Sequence, residues 1–255
     1  MASRNVFALL TDFGNDFAVA SMKGLILTEL PDAQVIDIDH NIDRFSILSG
    51  AFVIDKVYNY FPSGTIFICI IDPGVGSKRE PICLRSDQYD FIGPNNGLFH
   101  YLLTDSSFSI TSYEIKESFR PKISNTFHGR DLFTPAAIEI AKNNLEVLEP
   151  INRSKLVLIP ELQRGTPYIT YIDKFGNIKT NIGFTPNLKK ESTLKLKINN
   201  TTHLMKVAST FSEVTSGELF CYLGSNNTLE IAANLASAAD ILKVKVGDSL
   251  SVENL

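Results

Sequence analysis

Acidic side chains stand at the ends of two apolar, strand-like runs, where chemistry could be done. In LLTDFGND, Asp12 follows the run Val6–Leu10 and Asp16 lies just past a glycine turn. In CIIDPGVGSKR, Asp72 ends the run Thr65–Ile71, and the glycine-rich loop after it brings Arg79 back within reach of the carboxylate. A capping or turn-forming role explains one such aspartate. Two of them, each followed by glycine at what would be the carboxyl edge of a sheet, point to a ligand site. An Arg79–Asp72 pair in a surface loop would add little to stability; at a site, the guanidinium would orient the carboxylate and keep it ionised. His128, in the polar loop TFHGRDLFTP, is the third group to weigh, since a loop histidine is either solvated or a working acid–base group. His40 follows another strand-like run and is placed to neighbour the site, whereas His100 and His203 read as incidental. Asp173, Phe175 and Asn177 in YIDKFGNIKTNI, and the GSNN run at 224–227, have the composition of tight turns, which backbone geometry alone explains.

The elements that must position these residues fall into two textures. Over residues 1–152, apolar strand-like runs (Val6–Leu10, Val35–Ile38, Thr65–Ile71) alternate with stretches of helical period, Phe17–Leu30 and Ile47–Phe61. Thr134 followed by Pro135 reads as an N-cap with proline at the first helical position, opening a helix through Ala141. Strands separated by helix-length segments predict an α/β domain with a largely parallel sheet. Residues 153–166 read as a linker carrying Pro160 and Gly165. Residues 167–255 hold short alternating runs at Tyr168–Ile172, Leu194–Ile198, Leu219–Leu223, Thr228–Ala232 and Leu242–Val246, which predict a smaller, all-β barrel domain.

Composition narrows the function classes. The 255 residues carry 24 Lys and Arg against 28 Asp and Glu, a net charge of −4, so there is no general electrostatic pull toward nucleic acid or anionic lipid. The longest apolar stretch, near Ile66–Ile71, is far too short to span a bilayer. Cys69, Cys83 and Cys221 are widely spaced and form no CxxC pair, which suits buried, reduced thiols in a cytoplasmic protein. The phosphate-binding patterns GxxxxGKS/T and GxGxxG are absent, and so is HxxxH, leaving a carboxylate-rich site with no metal or cofactor as the expectation.

Taken in order, LTDFG, HNIDRFSILSGAFVI, IDPGVGSKR, GPNNGLF, TFHGRDLFTPAA, YIDKFGNIKTNI and YLGSNNTLEIA resemble the S-adenosylmethionine hydroxide adenosyltransferases, relatives of the fluorinase and chlorinase. The resemblance runs over nearly the whole chain. It implies an N-terminal α/β domain, a C-terminal β-barrel, and a homotrimer whose sites lie between one subunit's N-terminal domain and its neighbour's C-terminal domain. It implies a catalytic constellation of Asp72, Arg79 and His128, with Asp12 on the ribose hydroxyls and Asp16 and Asp173 near the methionine amine. Phe45 stands where the halogenases carry a Trp, Phe211 and Asn177 match adenine contacts, and Ser225 and Asn226 fall where the methionine carboxylate is held. Asn226 replaces an Arg of the fluorinase, while Asp72 and Gly129 replace its Tyr and Ser. A carboxylate lining the nucleophile pocket repels a halide and accepts a hydrogen bond from water. The implied reaction is therefore attack of water or hydroxide on C5′ of S-adenosylmethionine, releasing adenosine and L-methionine, with no nucleic acid or membrane partner. Three alternatives stay open: a halide-using adenosyltransferase, a non-catalytic S-adenosylmethionine or adenosine sensor, and a metal-dependent hydrolase built on Asp12, Asp16, Asp72 and His128.

Overall fold

The computed structural model describes residues 6–163, 165–183, 192–199 and 201–253. The chain divides into two compact units, Met1–Ile159 and Pro160–Leu255. The first holds a mixed sheet of β1 (Val6–Thr11), β2 (Gln34–Asp39), β3 (Ile66–Ile70), β4 (Pro81–Arg85), β5 (Asp90–Pro94), β6 (Thr111–Ile115) and β7 (Leu148–Pro150), in the order β2-β1-β3-β5-β4-β6-β7. Its helices are α1 (Phe17–Glu29), α2 (Ile47–Val57), α3 (His100–Thr104) and α4 (Thr134–Ala141).

Local chemistry sets the first two crossovers. The Asp16 carboxylate accepts the Ala18 N–H and starts α1, which ends just before Pro31; Ser46 caps α2 in the same way through the Ser49 N–H. Val19, Met22 and Ile26 lie three and four positions apart on α1 and are buried. They pack with Ile66, Ile68 and Ile70 of β3 and with Ala136, Ala137 and Ile140 of α4 in one core. Phe67 lies in an aromatic group instead, stacked on Phe91 with ring centroids 4.9 Å apart. All five β3 side chains are buried, as its unbroken apolar run, rich in isoleucine, predicts.

Only half of this sheet is parallel. β1–β2, β1–β3 and β3–β5 pair parallel, but β4–β5, β4–β6 and β6–β7 pair antiparallel, which corrects the expectation of a largely parallel sheet. The reason is loop length: the chain leaves β4 at Arg85 and re-enters at Asp90, too few residues for a crossover, so the strands must form a hairpin. Thr134 is not an N-cap either. A wider π-type turn at Gly129–Phe133 runs directly into α4, and the buried Thr134 hydroxyl has no hydrogen-bond partner.

The second unit holds α5 (Pro160–Gln163), α6 (Ala238–Leu242) and the strands β8 (Ile169–Ile172), β9 (Ile178–Gly183), β10 (Thr193–Ile198), β11 (Thr201–Val207), β12 (Leu219–Leu223), β13 (Thr228–Ala233) and β14 (Leu250–Glu253). Their order is β14-β10-β11-β12-β13-β9-β8, antiparallel apart from β11–β12. A Tyr168–Ser249 bridge links the two ends, so the sheet is nearly a closed barrel. The unit is not purely β, and the expected strand at Leu242–Val246 is not formed: Leu242 is the last residue of α6, whose Ser237 side chain accepts the Asp240 N–H, and 243–246 are turn and coil.

Gly93 on β5 leaves no room for a side chain, because an added Cβ would lie 2.3 Å from the Cys69 carbonyl oxygen of β3. Gly93→Ala is expected to destabilise the fold by about 2–3 kcal/mol, since backbone cannot yield as a side chain would. Urea denaturation checks this: a midpoint equal to that of the unaltered protein would contradict it.

Candidate active site

Strand order places the site. From β1 the chain crosses through α1 to β2 on one side, then through α2 to β3 on the other, so β1 and β3 flank a topological switch point. Ligands in such sheets bind outside the carboxyl ends of those strands. Thr11 is in register with Ile70, which puts Asp12 and Asp72 just beyond the same sheet edge.

Asp72, Arg79 and His128 form one contiguous cluster there. Arg79 Nε donates to both Asp72 oxygens at 3.0 Å, and Nη2 donates to Oδ2 at 2.6 Å. The pair is nearly closed to solvent, with side-chain exposures of 9% for Arg79 and 4% for Asp72. Arg79 Nη2 also lies 2.7 Å from His128 Nδ1. A guanidinium only donates, so Nδ1 must accept, and the single proton of a neutral imidazole is on Nε2. Burial first, and the Arg79 charge second, hold His128 below the ordinary histidine range, against the Glu117, Asp72 and Asp131 carboxylates that act the other way. The Phe133 ring lies 5.1 Å from the guanidinium carbon, a cation–π contact. Arg79 Nη1 is buried and has no hydrogen-bond partner among the described residues.

Two further features hold this cluster. The loop between Asp72 and Arg79 turns at Gly76, whose φ is +76° and whose missing Cβ would lie 2.6 Å from the Asn125 carbonyl oxygen. Asn96, in GPNNGLF, donates from Nδ2 to the Ile71 carbonyl at 2.8 Å, fixing the peptide that precedes Asp72. Sequence reading did not single Asn96 out; an Asn-Asn-Gly turn after a buried strand is the signal that was there.

Around Asp12 the geometry is looser. Asp12 Oδ2 accepts the Phe45 N–H at 2.8 Å, joining the loop after β1 to the loop before α2. Phe45 has φ +65°, a left-handed conformation rare for an aromatic residue, and is 66% exposed. Asp16 is spent in part as the α1 cap.

In the second unit, Asp173 Oδ1 accepts the N–H groups of Phe175 and Asn177, and Oδ2 accepts from Asn177 Nδ2 at 3.0 Å. The turn is thus held by two backbone N–H groups and by the Asn177 side chain. The same turn also lines a cavity of about 780 Å³ with Phe211, Asn234, Leu235 and Ser237. The cavity brings Asp173, Asn177 and Phe211 together; Ser225 and Asn226, on the β12–β13 turn, are not among its lining residues. Beside it, the Lys179 ammonium bonds buried Glu230, which also accepts from the Tyr222 hydroxyl. Sequence reading did not single these residues out: Lys179, Glu230 and Tyr222 alternate with the core residues Ile178, Ile231 and Cys221, and so share the face of the sheet opposite that core. Among the described residues no group of three or more His, Cys, Asp or Glu side chains is arranged to hold a metal ion, so Asp12, Asp16, Asp72 and His128 form no such group. Among the same residues no helix is long and apolar enough to cross a membrane.

Two expected outcomes follow from this electrostatics. Arg79→Met leaves Asp72 buried and unpaired, at a cost of about 3–5 kcal/mol; adding Asp72→Leu recovers most of it. Thermal or urea unfolding of the single and double variants measures the difference. The folded His128 imidazole is harder to protonate than its unfolded counterpart at 6.5, so its contribution falls away as pH drops below that value toward the folded one. An NMR titration of His128 should give a midpoint below 6.5, and stability of His128→Asn should fall less over that acid window.

Comparison with known proteins agrees over the full chain. Residues 7–149 match the SAM hydroxide adenosyltransferase N-terminal domain and residues 167–251 the C-terminal domain of the same family. An (R)-S-adenosyl-L-methionine hydrolase of Methanocaldococcus jannaschii is 34% identical, over 97% of this chain and 95% of its own length. A fluorinase of Nocardia brasiliensis is 28% identical, over 98% of this chain and 97% of its own. A crystal structure of an uncharacterized conserved protein from Thermotoga maritima superposes with a TM-score of 0.87 at 27% identity, covering 97% of this chain and all of that one. With both domain models matched in order on a sheet edge that carries the buried Asp72–Arg79–His128 cluster, the chain belongs to the SAM hydroxide adenosyltransferase family.

Proposed function

We propose that this protein is an (R)-S-adenosyl-L-methionine hydrolase. The water oxygen attacks C5′ of the ribose as the C5′–S bond breaks with its electron pair moving to sulfur; one proton is released, and the products are adenosine and L-methionine. A sulfonium departs as a neutral thioether, so the leaving group needs neither an acid nor a cofactor. The demand falls on the nucleophile, which must be held in line with the breaking bond.

The observation that carries this reading is the unpartnered, buried Nη1 of Arg79 beside Asp72 and His128. In our reading the attacking water accepts from Arg79 Nη1–H and donates to Asp72, which leaves its second lone pair free for C5′, while His128 holds the guanidinium through Nδ1. His128 is unsuited to take the proton, because its Nδ1 lone pair already accepts from Arg79. Asp72 Oδ1 accepts one N–H and keeps a lone pair free. An ionised carboxylate at that point disfavours a halide by direct repulsion. Gly129 supports the same choice: a Cβ there would lie 3.2 Å from Ile70 Cδ1 and 3.3 Å from Met22 Sδ, so the halogenase serine fits only if the core shifts.

Asp12 accepts the ribose hydroxyls, Asp16 faces the methionine amine, and Phe45 lies beside the reacting carbon. Phe211 and Asn177 take the adenine, Asp173 the methionine amine, and Ser225 and Asn226 its carboxylate. Large apolar side chains stand open on both surfaces: Phe17 is 77% and Phe45 66% exposed in the first unit, Phe175 66% and Leu235 87% in the second. We read these as two halves of one site, contributed by different copies of the chain in a homotrimer. The three free, buried cysteines suit the cytoplasm.

The test is incubation with each sulfonium epimer in isotopically heavy water, followed by mass analysis. Label at the 5′-oxygen of adenosine, with turnover of the R epimer, is the expected result. Formation of 5′-chloro-5′-deoxyadenosine in chloride, or no cleavage of either epimer, would overturn it. Asp72→Asn should lower kcat by about 10²–10⁴ and leave KM within a few-fold.

A further inference from the structure

His40 is engaged on every polar atom it turns toward the loop after β1. Its Nδ1 lies 2.8 Å from the Thr11 hydroxyl and its Nε2 2.9 Å from Asp37 Oδ1, while its backbone carbonyl accepts the Gly14 N–H at 2.7 Å. Asp37 also pairs with Lys23. Burial pushes the Asp37 carboxyl up, but the hydrogen bonds from Lys23 and His40 outweigh it and keep it ionised. A carboxylate only accepts, so His40 Nε2 carries a proton and donates it. Thr11 Oγ1 accepts the Phe13 N–H at 3.3 Å, which leaves the hydroxyl proton free to go to His40 Nδ1. Hydroxyl, imidazole and carboxylate stand in the order of a nucleophilic triad, yet Thr11 is 0% exposed, so no substrate reaches that hydroxyl.

The consequence lies one residue away. His40 grips Thr11 on one side of Asp12 with its side chain and Gly14 on the other with its backbone, so the four-residue arc Thr11–Gly14 carrying Asp12 is fastened at both ends to the same residue. We propose that His40 is a positioning residue for Asp12, setting the direction in which that carboxylate meets the ribose hydroxyls; this rests on the function proposed above. Asp12 itself has one further tether, the Phe45 N–H on Oδ2, so without His40 the carboxylate would swing on that single contact.

The discriminating measurement is the ratio of dissociation constants for 2′-deoxyadenosine and adenosine, by calorimetry on the full chain. A well-aimed acceptor distinguishes the two by on the order of tenfold or more. His40→Ala and Thr11→Val are each expected to collapse that ratio toward one, whereas Thr11→Ser, which keeps the hydroxyl, should retain it. In turnover, KM for the sulfonium substrate should rise on the order of tenfold with kcat nearly unchanged, because the Asp72 cluster is untouched. If Thr11→Val, the nearly isosteric change, folds and keeps the full discrimination, the inference fails while the reading of Asp12 stands. If the unaltered protein shows no preference for the ribonucleoside, Asp12 is not the hydroxyl acceptor and both fail together.

Discussion

At the carboxyl end of β3, two opposite charges are held out of water against each other, and the surrounding structure is arranged to make that possible. Removing Asp72 and Arg79 from solvent costs several kcal/mol per ion, which their attraction offsets only when the geometry is close and the remaining donors are used. Here Arg79 spends Nε and Nη2 on Asp72, shares Nη2 with His128, rests on Phe133, and still has Nη1 left over. Apolar residues of the same volume would serve stability at least as well, so stability does not account for the pair. A spare donor beside an ionised acceptor is what a site needs to seize one water molecule and hold its orientation.

Precision at this edge comes from residues that do not touch substrate. The Asp72 peptide is fastened by Asn96 from the turn after β5, and the return loop to Arg79 depends on a glycine that lies against the Asn125 carbonyl. Asp12 is fastened by His40, which draws in Asp37 and Lys23. Each acidic group therefore sits on a short loop whose ends are tied to rigid strands, an economical way to combine an exposed functional atom with a fixed direction.

Much of this was legible in the residues. The unbroken run of β3, the Asp16 cap and the period of α1 announce themselves locally, and so does the placement of Asp12 and Asp72 after strands. Less legible was anything that depends on pairing between distant segments. The antiparallel half of the first sheet hides behind strand-like runs that look alike whichever way they pair. Thr134–Pro135 carries the signature of a helix start, but a preceding π-type turn takes the chain into the helix earlier. Leu242–Val246 alternates as a strand does, yet the Ser237 cap turns the preceding segment into a helix.

From the order of residues alone came the two-part organisation, the acids at strand ends, the loop that returns Arg79 to Asp72, and the family to which the whole pattern belongs. Those are short-range or pattern properties, set by side-chain period and turn chemistry. Only the folded chain decided that His128 accepts from Arg79 and so presents N–H rather than a lone pair, that one guanidinium nitrogen is left without a partner, and that His40 braces the Asp12 loop. Such facts depend on distances between groups 29 and 49 positions apart, which local preferences cannot encode because a hydrogen bond is decided by tenths of an ångström after every strand has found its neighbour.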